Sequence, residues 1–186
     1  MQQIIKLSEN SKQYFENYIQ ILDEMELEMQ EINATDNISE TYVMQMLPYF
    51  KAIAKFNENI LTYTTNPNVE IIAKSVLVSS PNSLKKLLTY CKNIKNSNFD
   101  NGIYLLKFRK IFDKMTRSMR KIVSTNNINK CYLLSMLTCQ ENGIYFAKNI
   151  LNFDICFEIK EYLQKYIKDT TLSIQTIKKL LNKQNI

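Results

Sequence analysis

The chain has no histidine, no tryptophan, only two glycines (Gly102 and Gly143) and three prolines in 186 residues. Each shortage removes a class of function. Without histidine there is no Ser-His-Asp or Cys-His pair, no imidazole metal ligand and no base that titrates near neutrality. A di-iron centre built on Glu-x-x-His is excluded for the same reason. Two isolated glycines cannot write the phosphate-cradling G-x-G-x-x-G or G-x-x-x-x-G-K-[ST], so Rossmann and P-loop enzymes are set aside. The scarcity of turn residues argues against an all-β architecture, which needs a turn at short intervals. No apolar run approaches the ~18 residues that a membrane span requires.

The four cysteines, Cys91, Cys131, Cys139 and Cys156, contain no C-x-x-C spacing. The opening Met1-Gln2-Gln3-Ile4-Ile5-Lys6 lacks the apolar run of a signal peptide. The expectation is four reduced, mostly buried thiols in a cytoplasmic protein. The abundance of Asn, Ile, Lys and Tyr reflects an AT-rich genome and says nothing of fold.

What is present is helical periodicity. The length and a hydrophobic fraction of 45% suit a single helical domain, residues 1–186, with a real core. Phe15, Tyr18, Leu22, Met25, Met29 and Ile32 recur at steps of three and four, which predicts a helix over about 9–32. Ser39 reads as the cap of a second helix reaching about Tyr63, which Pro48 either kinks or opens. Asn66-Pro67-Asn68 breaks the chain before a short helix over 69–78. Ser79 to Ser83 caps a further one over 84–94, and 96–102 reads as a loop. Leu105, Phe108, Phe112, Met115, Met119 and Ile122 predict a helix over 103–124, closed by Asn126-Asn127. The next runs over 130–151, interrupted at Gln140-Glu141-Asn142-Gly143. Asp154 then caps a last helix reaching about Asn182. The fold class is therefore all-α, an antiparallel helical bundle of about six helices. The methionines sit at core spacing, so they are read as packing rather than as a binding groove.

Charge is the unusual feature. Residues 1–40 carry nine acids against Lys6 and Lys12, a net of −7, while residues 41–186 carry a net of +13. Lys107, Lys110, Lys114, Arg117 and Lys121 recur at helical steps and form one stripe opposite the apolar one. Arg109 and Arg120 flank it, and Asp113 is the one acid on that helix. Three readings stand: a solvated face, docking against the acidic helix 1, or binding of an anionic partner. Phe108 and Phe112 lie on the core stripe and are unavailable to stack on bases. Glu24, Glu28 and Glu31 read as a solvated face, and Glu141 as an exposed residue.

No family resemblance is established from these residues. The expectation is a non-enzymatic helical interaction protein, with no catalytic residues, no metal and no cofactor. It is expected to bind an anionic macromolecule, an acidic protein surface or nucleic acid, through Lys107, Lys110, Lys114, Arg117 and Lys121. The alternatives are a protein that binds the nucleic-acid backbone, and a carboxylate-metal enzyme using Glu141 with Glu158 and Glu161. The oligomeric state is not legible.

Overall fold

A computed structural model describes residues 6–77, 102–122 and 124–183. The described residues form six α-helices and no strand. They are α1 (Glu9–Gln30), α2 (Ile38–Tyr63), α3 (Pro67–Leu77), α4 (Gly102–Arg120), α5 (Ile128–Ile150) and α6 (Phe157–Leu181). The expected bundle is thus the observed architecture. Val78, the helix expected over 84–94, the loop before Gly102 and Cys91 lie outside the described residues. No described helix is long and apolar enough to cross a membrane.

α2 and α5 form the middle of the bundle. α2 packs against α1, α3 and α5, while α5 packs against α2, α4 and α6. Their sequences show why: both carry buried residues on more than one face, whereas α1, α4 and α6 keep a single apolar stripe. Residue pairings give the directions. Tyr14 and Asn59 meet at one end of α1–α2, and Glu28 and Lys51 at the other, so these two helices are antiparallel. Tyr49 faces Phe146 and Tyr132 faces Asn57, which makes α2 and α5 antiparallel. Asn149 bonds the carbonyl of Tyr104, and Phe108 packs on Phe146, so α4 and α5 run oppositely as well.

Several boundaries differ from the sequence expectation, each for a tertiary reason. Asn37, not Ser39, caps α2, its Oδ1 accepting from the Glu40 amide at 3.1 Å. Ser39 is buried inside the first turn, where its Oγ accepts from the amide of Cys156 at 3.2 Å. That contact also sets the start of α6. Cys156, buried and extended, is the cap residue, and Asp154 stays exposed outside the helix. α2 continues through Pro48, which has no amide to offer the carbonyl one turn back. α4 ends at Arg120, and Asn127 caps α5 with its Oδ1 on the Lys130 amide at 3.0 Å.

The expected interruption at Gln140 to Gly143 is absent, because α5 is continuous. Gly143 serves close packing instead. A Cβ there would stand 2.5 Å from Tyr49 Oη, and closer still to Tyr166 Oη. Tyrosine supplies much of the core, with Tyr14, Tyr18, Tyr42, Tyr49, Tyr104 and Tyr132 among the largest fully buried side chains. Several phenols are matched to acceptors, as buried hydroxyls must be. Tyr104 donates to Gln45 Oε1 at 2.6 Å, Tyr18 to the Met119 carbonyl at 3.1 Å, and Tyr132 to Asn57 Oδ1. Of the methionines expected in the core, Met25, Met46, Met115, Met119 and Met136 are buried, whereas Met29 and Met44 are half-buried.

Candidate functional site

α4 is held by one face. Tyr104, Phe108, Phe112, Met115 and Met119 are buried against the bundle, and everything opposite them points to solvent. Lys107, Lys110, Lys114, Arg117 and Lys121 are all exposed. At 100° per residue the five fall within roughly a quarter of the helix circumference. None of them makes an ion pair with any described residue. Arg117 alone has a polar partner in its own helix, donating from Nε to the Asp113 carbonyl at 2.9 Å. Ile103 and Leu106, 60% and 57% exposed, lie at the N-terminal end of the same face.

The acidic helix is where the counter-charges were expected, and it is occupied elsewhere. Glu24 pairs with Lys55 and Glu28 with Lys51, both on α2. These acids therefore line a helix–helix seam, which corrects their reading as a solvated face; Glu31 is exposed as expected. Hydrogen bonds from Lys55 and Gln20 hold the Glu24 carboxyl below its ordinary pKa. On the opposite flank of α1, Arg120 bonds Asp23 at 2.6 Å and Glu26 at 2.7 Å. Those hydrogen bonds, from Glu26 first and Asp23 second, raise the guanidinium pKa further. So α4 does dock on α1, but through Arg120, which flanks the stripe, and not through the stripe itself. The geometry follows from sequence position: Arg120 lies about 100° around the helix from the centre of the stripe, on the side that faces α1.

The carboxylates do not converge. Glu141 is half-buried and pairs with Lys178 of α6 at 2.7 Å, so it tethers two helices and does not stand free in solvent. Glu158 and Glu161 are exposed in the first turns of α6, roughly 25–30 Å along the axis from Lys178 at 1.5 Å per residue. No group of three or more metal-ligating side chains occurs among the described residues. Cys131, Cys139 and Cys156 are buried and form no disulfide with one another. Burial alone pushes the Cys139 thiol up to about 12, which keeps it protonated and unreactive.

Beside the stripe runs a groove that sequence reading missed. It lies between the C-terminal end of α4 and one face of α5, has a volume of about 600 Å³ and is lined in part by Lys121, Ile122, Lys130, Leu134 and Leu137. Lys130, Leu134 and Leu137 are spaced by four and three, a helical repeat readable in the sequence. Nothing there told that α4 leaves this face of α5 partly uncovered. Comparison with protein-family models, with curated proteins and with solved structures gives no match for this chain.

Proposed function

We propose that this is a non-enzymatic helical interaction protein that binds an anionic macromolecular partner through Lys107, Lys110, Lys114, Arg117 and Lys121. One observation carries the reading. Asp23, Glu24, Glu26 and Glu28 of α1 are spent on Lys51, Lys55 and Arg120, so the five aligned cations make no ion pair with any described residue. Like charges at i,i+3 and i,i+4 repel by a few tenths of a kcal/mol per pair. A partner bearing negative charge relieves that repulsion and releases bound counterions. The exposed Ile103 and Leu106 favour an acidic protein surface over nucleic-acid backbone, since phosphates offer apolar side chains nothing to pack on.

The test is charge reversal. Labelled polyglutamate and labelled duplex DNA are titrated with wild-type protein and with the triple variant Lys110→Glu, Lys114→Glu, Arg117→Glu, at low and moderate salt. The wild type is expected to bind polyglutamate with steep salt dependence, and the variant to lose at least about tenfold in affinity, or ~1.4 kcal/mol. If the variant binds as the wild type does, or the wild type binds neither probe, the stripe is only a solvated face.

A further inference from the structure

The groove between α4 and α5 says more about the partner than the stripe does. Its floor is apolar: Ile122 just beyond the end of α4, with Leu134 and Leu137 one turn apart on α5, all half-buried. Its rims are cationic. Lys121, the last member of the stripe, stands on the α4 side and Lys130 on the α5 side; both are exposed, and neither makes an ion pair with a described residue. The one acid in the groove is Glu141 at its far end, already neutralised by Lys178. The lined face of α5 runs from Asn127 to Glu141, about 21 Å at 1.5 Å per residue, which is the length of four helical turns.

These features together choose among partner chemistries. A phosphate backbone would satisfy Lys121 and Lys130 but leave Ile122, Leu134 and Leu137 against water. A purely apolar ligand would fill the floor and place nothing opposite the lysines. A flat lipid surface does not enter a groove. An amphipathic helix with one apolar stripe and acidic residues on either side matches floor and rims at once, in the helix-in-groove mode of recognition.

We propose that the partner presents an acidic amphipathic helix of about four turns, which lies in the α4–α5 groove with its apolar side chains on Ile122, Leu134 and Leu137. Its carboxylates face Lys121 and Lys130, and Lys114 extends the cationic rim along α4. This rests on the reading that the basic face of α4 takes an anionic partner, and narrows it to one class.

The experiment uses the full chain and two fluorescent peptides of about 15 residues, the length that spans the groove. One carries leucine at i, i+4 and i+7 with glutamates beside them; the other has the same glutamates but glutamine in place of each leucine. Anisotropy should show the leucine peptide binding at least about tenfold more tightly, since leucines seated on the apolar floor leave water. Leu137→Gln should erase the difference while leaving polyglutamate binding intact. Lys121→Glu with Lys130→Glu, both at exposed positions, should weaken both peptides, with unfolding by circular dichroism confirming a native fold. Equal binding of the two peptides by the wild type overturns the groove and leaves the anionic reading standing. Binding of neither peptide and no polyglutamate overturns both. Tighter binding of duplex DNA of equal charge than of the leucine peptide also overturns the proposal.

Discussion

The phenol of Tyr49 donates to the main-chain carbonyl of Cys139 at 2.7 Å, joining the two central helices in the turn that contains Gly143. Gly143 lets it approach. Replacing Gly143 by Ala would gain up to ~1 kcal/mol of helix propensity. It would also drive a methyl group into Tyr49 and Tyr166, and overpacking of this kind costs about 1–3 kcal/mol. Tyr49 has little room to retreat, because its ring stands edge-on to both Phe50 and Phe146. Gly143→Ala should therefore lower the midpoint of urea unfolding. Adding Tyr49→Phe should recover part of the loss, since the two changes share one contact. A Gly143→Ala variant more stable than wild type would refute this account of the glycine.

Paired and unpaired charges on α4 should respond differently to reversal. Lys110→Glu, Lys114→Glu and Arg117→Glu alter exposed side chains with no ionic partner among the described residues, so each should shift stability by less than about 0.5 kcal/mol. Arg120→Glu sets a carboxylate beside Asp23 and Glu26. Since Arg120 is more than a third exposed, the pairs lost are worth at most ~1 kcal/mol, and the new repulsion adds to that. Thermal melts of the four single variants decide it: Arg120→Glu should melt lowest.

The thiols give a chemical check on the core. With its pKa pushed up to about 12 by burial, Cys139 should resist Ellman's reagent in the native protein at pH 8. After unfolding without reductant, Cys131, Cys139 and Cys156 should each titrate as a free thiol. A missing thiol would mean a disulfide that the packing does not contain.

Alkaline pH should unfold the protein through its tyrosines. Burial raises the phenol pKa of Tyr14, Tyr42, Tyr49 and Tyr104, and takes Tyr162 from 10.0 to about 12. A raised folded-state pKa means that the neutral phenol is the form that suits the fold. The associated stability is present below pH 10 and is lost as pH climbs through 12. Glu24 acts in the opposite sense: its pKa is lowered from 4.5, so its contribution holds above that value and fades as pH falls below it. Melting temperature should thus be level near neutrality and fall steeply above pH 10. A level profile to pH 12 would contradict the burial of these phenols.

The elements were legible where one rule decided them. The 3-4 spacing of Phe108, Phe112, Met115 and Met119 is a property of α4 alone, and those residues are buried as expected. The caps were not legible, because Ser39 and Asp154 are both good capping residues and tertiary contacts overrode them. The amide of Cys156 takes the Ser39 hydroxyl, and that bond fixes where α6 begins. The α4 stripe was readable as a pattern, whereas its lack of counter-charge depended on which helices the α1 acids face. Lysines at Lys51 and Lys55 on α2 gave no hint in sequence that they, and not the longer run on α4, would meet Glu28 and Glu24. The groove was further out of reach, since it is a gap between elements and has no sequence signature.

The division of charge separates two kinds of selection. Glu24, Glu28, Asp23 and Glu26 are bound up with the seams of α1, so changing them alters how the helices sit. Lys107, Lys110, Lys114, Arg117 and Lys121 make no ion pair with any described helix. Substitutions at those five sites should therefore cost the fold little, less than about 0.5 kcal/mol each. If the proposed partner binds there, the surface is free to follow it as it changes while the scaffold beneath stays fixed.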